Sequence, residues 1–200
     1  MQEVSPVRAV RIKRALGPKS FISLAKHGLQ YLATVLPEDA RFLSRRTVQL
    51  NGHLGLLPAA WSVSRGCALY RVGYTGWTDA LEPRVAQEAR ISWRGVEFQL
   101  INTHLPFSPL LRNKNLTRLQ AFLQGQNVIL AGDLNATPKD LFLNDLVLAG
   151  GLSVAGSHEA THDSGRRIDY VMFGGGFREA GYSLEKSASD HRLVRATLEV

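Results

Sequence analysis

The stretch NVILAGDLN, residues 127–135, constrains this chain more than any other: four consecutive apolar residues, Val128 to Ala131, lead through a glycine into Asp133 and Asn135. A short unbroken apolar run reads as a strand buried on both faces. A carboxylate at the end of such a strand is held rigidly by the sheet while its tip can face a cleft. The same juxtaposition of apolar run and polar cluster recurs at Asn102-Thr103-His104, Arg167-Ile168-Asp169 and Ser189-Asp190-His191. One cluster alone is also a good turn. Four together imply several strands converging on one site.

The rest of the pattern is sheet-rich. YLATVL (31–36), TVQL (47–50) and CALYRV (67–72) read as strands. ARISWRGVEFQLINTHL reads as a hairpin turning at Arg94 and Gly95, with Ile91, Trp93, Val96, Phe98 and Leu100 alternating with polar residues. Leu116, Leu119, Phe122 and Leu123 recur at helical spacing, which predicts an amphipathic helix over 112–124. Thr137 as N-cap, Pro138 at the first helical position and Asp140 in the first turn predict a helix through LFLNDLVL that stops at Gly150 and Gly151. RIDYVMF and LVRATLEV read as two strands separated by the glycines at 174–176. Strands with interspersed helices and hairpins favour an α/β or α+β architecture. With neither a repeat nor a long linker, residues 1–200 are expected to form one domain.

Composition decides the broad class. Hydrophobic residues at 44% can bury a core, which excludes a disordered chain. No apolar stretch of about 18 residues spans a bilayer, and the basic start lacks the apolar run of a secretory signal. A lone cysteine, Cys67, excludes an internal disulfide framework, and a cytoplasmic setting is expected. Charge is uneven. Residues 1–60 hold nine basic side chains against three acidic, including Arg41, Arg45 and Arg46, while residues 61–200 hold fifteen against fourteen. That excess suits a polyanionic partner such as nucleic acid, and it equally suits an anionic surface or a solvated face.

In order, QEV, NTHL, GDLNATP, RIDYV and SDHRLV resemble the endonuclease/exonuclease/phosphatase superfamily of metal-dependent phosphoesterases. The resemblance implies a four-layer, DNase I-like α/β sandwich of the α+β kind, two mixed β-sheets packed face to face with flanking helices. It also implies a divalent cation, Mg²⁺ or Mn²⁺, and a catalytic histidine at one end of the sheets. By that resemblance Asp133 orients and deprotonates the attacking water, and Asn135 holds that water or the phosphate. His191 contacts the scissile phosphate, Asp169 orients His191, and His104 is a second histidine facing the phosphate. Glu3 is the implied main metal ligand and Asp190 a metal contact. Members normally carry a strand and helix before the QE motif, so a chain beginning at QE is expected to be short at its N-terminus. A sheet open at that place invites pairing with another copy.

The chemistry agrees with these roles: attack on a phosphodiester needs an activated water, charge stabilisation at the phosphoryl oxygens and help for the leaving oxygen. A hard cation among carboxylates supplies the last two. Hydrolysis of DNA is the expected activity. Inositol phosphate and lipid phosphoesters are alternatives, because fold alone does not choose a substrate. A further alternative is a non-catalytic module that binds nucleic acid or protein. Tyr74 and Trp77, in the loop 73–79, suit packing beneath the loop first, and presentation of their rings to bases or a lipid surface second. His158-Glu159-Ala160-Thr161-His162 matches the zinc-protease pattern H-E-x-x-H, which works only on a helix. The bracketing Gly156 and Gly165 argue against a helix there.

Overall fold

The computed structural model describes residues 20–24, 31–50, 84–123 and 127–200. Glu3, Cys67, the 67–72 run, the loop 73–79 and most of the basic N-terminal cluster lie outside the described residues.

The frame is a six-stranded mixed sheet. It comprises β3 (Arg41–Gln49), β4 (Val85–Trp93), β5 (Val96–His104), β6 (Val128–Asp133), β7 (Ser153–Val154) and β8 (Asp169–Gly174), in the spatial order β3-β4-β5-β6-β8-β7. Only β5 and β6 run parallel; the other pairings are antiparallel. The crossover between those two parallel strands carries helix α1 (Pro109–Gln120), and helix α2 (Leu141–Gly150) follows β6. Both helices cover one face: Leu119, Phe142, Leu143 and Leu146 pack with Ile101, Leu130 and Met172 in one buried cluster. Burying each such side chain contributes about 1.5–3 kcal/mol.

The other face carries two antiparallel pairs, β1 (Ser20–Leu24) with β2 (Tyr31–Val35), and β9 (Arg178–Glu185) with β10 (Leu193–Glu199). Gln87 of β4 and Asn102 of β5 donate to the carbonyls of Leu32 and Ala33, which fixes the first pair. The second is anchored where Phe177 meets Phe98 edge-on at 5.7 Å. The architecture is thus mixed α+β, a large sheet with a second strand layer and few helices. That second layer, expected as one mixed sheet, appears among the described residues as two antiparallel pairs.

Local details depart from the sequence expectations for physical reasons. The first helix starts earlier, at Pro109 in its first turn, and ends at Gln120, so Phe122 and Leu123 follow it although Leu123 still reaches the core. The second helix starts at Leu141 with Asp140 as N-cap. The Thr137 amide and hydroxyl both donate to the Asp140 carboxylate, at 2.6 and 2.9 Å, so this segment closes a turn instead of the first helical turn. The helix does end as expected, at Gly151 with φ 56°. Strand β9 lies between the glycines and β10; its exposed, weakly apolar sequence gave no alternation to detect. The hairpin turn falls at Arg94 and Gly95, with φ 49° and 82°. Residues 155–168 form no helix, which removes the geometry a zinc-protease motif requires.

Candidate active site

Sheet register assembles the site. Parallel strands β5 and β6 both end on one side of the sheet, and antiparallel β8 begins there. His104 pairs with Asp133, and Asp133 pairs with Asp169, in one row across three strands. Side chains alternate between faces, so three residues in one row share a face, with neighbours about 4.5–5.5 Å apart. They lie on the face opposite the helices, because the next row, with Thr103, Gly132 and Tyr170, belongs to the helix side. Gly132 is required for this register: a Cβ there would stand 1.8 Å from the carbonyl oxygen of Thr103.

Asn135 follows in the left-handed region, φ 49°, a conformation asparagine tolerates better than most residues. Its backbone N–H donates to Asp133 Oδ1 at 2.8 Å, and its side-chain amide donates to the carbonyl of Leu105 at 2.9 Å. The second amide hydrogen is aimed at His104 Nε2, 3.2 Å away. Nε2 therefore accepts, and His104 carries its proton on Nδ1. Burial, followed by the Arg84 guanidinium, holds the His104 imidazole down to about 3. Its 3.4 Å approach to Asp133 Oδ2 is accordingly not an ion pair at neutral pH. Asp133 itself is pushed up to about 6, first by burial and then by the Asp169 carboxylate, with the Asn135 N–H opposing.

His191 reaches the row from the loop before β10. Its Nδ1 lies 3.1 and 2.9 Å from the two Asp169 oxygens, and donates to them. Asp169 is held in turn by the Thr161 hydroxyl at 2.7 Å, which also accepts the backbone N–H groups of Ile168 and Asp169. The neighbouring arginines leave Asp169 to these partners: Arg166 lies over the Phe107 ring, and Arg167 bonds the carbonyl of Ala155. Asp190 is placed differently. Its exposed carboxylate meets His162 Nε2 at 3.2 Å.

The structure thus brings together His104, Asp133, Asn135, Asp169 and His191, and sets Asp190 beside them with His162; Glu3 lies outside the described residues. Thr161 and Arg112 escaped the sequence reading. Arg112, on α1, donates to the carbonyls of Phe107 and Asn135 at 2.6 Å each and lies 3.3 Å from Asp140. Nothing in the local sequence marks either residue, since the loop that turns Thr161 onto Asp169 and those that bring the Phe107 and Asn135 carbonyls to Arg112 carry no periodic pattern.

Asp133, Asp169 and His191 each offer a ligand atom, all within 4.8 Å of one another. The two carboxylates offer the oxygen donors a hard divalent cation takes, while His191 Nδ1 is engaged by Asp169.

A family model described as "Endonuclease/Exonuclease/phosphatase family" matches residues 1–191. No curated protein matches significantly by sequence. Among solved structures, an endonuclease/exonuclease/phosphatase from Bacteroides vulgatus is 17% identical with a TM-score of 0.72, covering 100% of this chain and 83% of that one. A mannosyl-6-phosphatase from Bacteroides thetaiotaomicron is 15% identical with a TM-score of 0.68, covering 100% and 84%. TDP2 from D. rerio, complexed with single strand DNA product, is 15% identical with a TM-score of 0.65 over the same shares. At these identities the likeness shows the fold. With the family model spanning nearly the whole sequence, the chain belongs to the endonuclease/exonuclease/phosphatase family, whose members are hydrolytic phosphoesterases and generally depend on a divalent metal.

Proposed function

We propose that this chain hydrolyses phosphodiesters in nucleic acid, DNA foremost, with Mg²⁺ or Mn²⁺ and by direct attack of water. The observation that carries the reading is the meeting of Asp133, Asp169 and His191 within 4.8 Å. Asp133 takes the proton from the attacking water; a carboxyl raised to about 6 is well matched to a base working near neutral pH. Asn135 spends its amide hydrogens on Leu105 and His104, so its Oδ1 is the atom left to orient that water. Neutral His104 retains its Nδ1–H as a donor for a phosphoryl oxygen. His191, fixed through Nδ1 by Asp169, keeps Nε2 for the scissile phosphate. Glu3 and Asp190 are the proposed cation ligands, joined by the Asp169 carboxylate, which leaves Asp133 to act as the base. When bound, the cation supplies charge neutralisation at the phosphoryl and leaving oxygens.

Nucleic acid is favoured by the net +6 of residues 1–60, since neutralising a row of phosphates is the main source of sequence-independent affinity. The fold-level likeness to TDP2 holding a DNA product points the same way. The likeness to a mannosyl-6-phosphatase supports sugar phosphate as the second substrate to try. The test is cleavage of plasmid DNA, short oligonucleotides and mannose 6-phosphate with Mg²⁺, Mn²⁺ or chelator, for wild type, Asp133→Asn and His191→Ala. A loss of about 10²–10⁴-fold is expected in each variant. Equal rates in all three proteins remove the mechanism, and metal-independent DNA binding without cleavage favours a binding module.

A further inference from the structure

The histidine that completes the HEATH pattern is not idle. His162 sits in the loop 155–168, next to Thr161, and its ring is mostly buried, 18% exposed, whereas the Asp190 side chain opposite is 66% exposed. Two contacts fix its tautomer. The Ser164 backbone N–H lies 2.9 Å from His162 Nδ1, and a backbone N–H can only donate. Nδ1 therefore accepts, the ring proton sits on Nε2, and that N–H points at Asp190 Oδ2, 3.2 Å away. The same ring stands edge-on to the His191 ring, with centroids 4.7 Å apart and planes at 88°.

The backbone brings the two loops together. His162 and His191 form an isolated β-bridge, the Asp163 N–H donates to the Asp190 carbonyl at 2.8 Å, and the Arg192 N–H donates to the Thr161 carbonyl at 2.7 Å. This zipper carries the Asp190-His191 pair from the second strand layer onto the sheet that holds Asp169. A backbone bridge alone leaves both side chains free to rotate. His162 restrains both: a hydrogen bond for the carboxylate and a ring edge for the imidazole.

We propose that His162 is a positioning residue for hydrolysis, setting the Asp190 carboxylate through Nε2–H and the His191 ring by edge-on packing. The inference rests on the hydrolase reading above, in which Asp190 contacts the cation and His191 the phosphate. Carboxylates that bind metals are commonly held by such outer hydrogen bonds, whose removal costs about 10–100-fold in metal affinity or activity. Asp169 holds His191 through Nδ1 and the perpendicular His162 ring packs against it, so the imidazole is restrained from two sides.

The two contacts separate by substitution. His162→Phe keeps a ring edge against His191 and loses the donor; about tenfold more Mg²⁺ is expected for half-maximal cleavage of a short oligonucleotide, with a smaller change in saturated kcat. His162→Gln keeps an amide donor for Asp190 and loses the ring; lower kcat at an unchanged Mg²⁺ requirement is expected. His162→Ala combines both effects, with KM for the oligonucleotide little changed. In the metal-free wild type, nitrogen-15 correlation spectra are expected to show His162 protonated on Nε2 and bare on Nδ1. The Nδ1–H tautomer overturns the proposal. So does an active wild type matched by all three variants, or a uniform loss that merely tracks a fall in melting temperature. A wild type without metal-dependent cleavage sinks the hydrolase reading, and this inference with it.

Discussion

Asp133 is a charge placed where charge is costly. It is 7% exposed, faces the Asp169 carboxylate across one strand pairing, and is raised from 3.8 to about 6. A group raised in the folded state contributes stability that is present below its unfolded value and is lost as pH rises through the folded value. Wild type is therefore expected to lose stability between about pH 4 and pH 6 from this group, on the order of 2–3 kcal/mol. Asp133→Asn keeps an oxygen for the Asn135 N–H and carries no charge. In chelator, its melting temperature should match wild type near pH 4 and exceed it at pH 8, while with Mg²⁺ present its cleavage is lost. A constant difference across that range would mean that Asp133 ionises without cost. His104 follows the opposite rule: held down to about 3, it contributes stability present above its ordinary 6.5 and lost as pH falls towards 3. Thermal melts of His104→Gln should accordingly show less acid sensitivity than wild type over that window.

At the scale of elements, the site depends on strand contact and on the buried guanidinium of Arg112. Gly132 lets β6 approach β5 closely enough to keep His104 and Asp133 in one row. In Gly132→Ala the new methyl meets backbone, which cannot swing aside as a side chain would. The strands must separate, and a loss of several kcal/mol, of the size seen on overpacking a core or beyond, is expected by chemical denaturation. Arg112 ties α1 to both functional loops through the carbonyls of Phe107 and Asn135 and through Asp140. Arg112→Met fills similar volume but strands the Phe107 and Asn135 carbonyls, so a cost of about 1–3 kcal/mol for each is expected. Arg112→Lys should recover little of it, because an ammonium does not reproduce the planar fork. A melting temperature unchanged in either variant would show that the loops hold themselves.

Across the whole molecule, the proposed nucleic-acid partner is tested through charge. The formal net charge is +7, and of the basic residues in the first sixty, Arg41, Arg45 and Arg46 lie on β3, at one edge of the large sheet. DNA affinity measured between 50 and 200 mM salt is expected to fall with a logarithmic slope of about −0.9 per phosphate neutralised. A slope near zero would remove a polyanionic backbone as the ligand and turn attention to a small phosphoester. No helix among the described residues is long and apolar enough to cross a membrane.

How much of this was legible depends on the range of the interaction concerned. Apolar runs ending in Asp133 and His104, the turn at Arg94 and Gly95, and the stop at Gly151 are written locally, because burial pattern and backbone conformation are properties of a few adjacent residues. The start of α2 was misread because Thr137 and Asp140, good capping residues by type, bond to each other instead. Strand β9 was missed because its partner, β10, supplies the pairing that its own sequence does not advertise. Only the folded chain decides that His104, Asp133 and Asp169 share a row and that His162 meets Asp190 rather than His158. Those contacts depend on strand register and loop pairing between segments tens of residues apart, where a shift of one residue would turn each side chain to the opposite face.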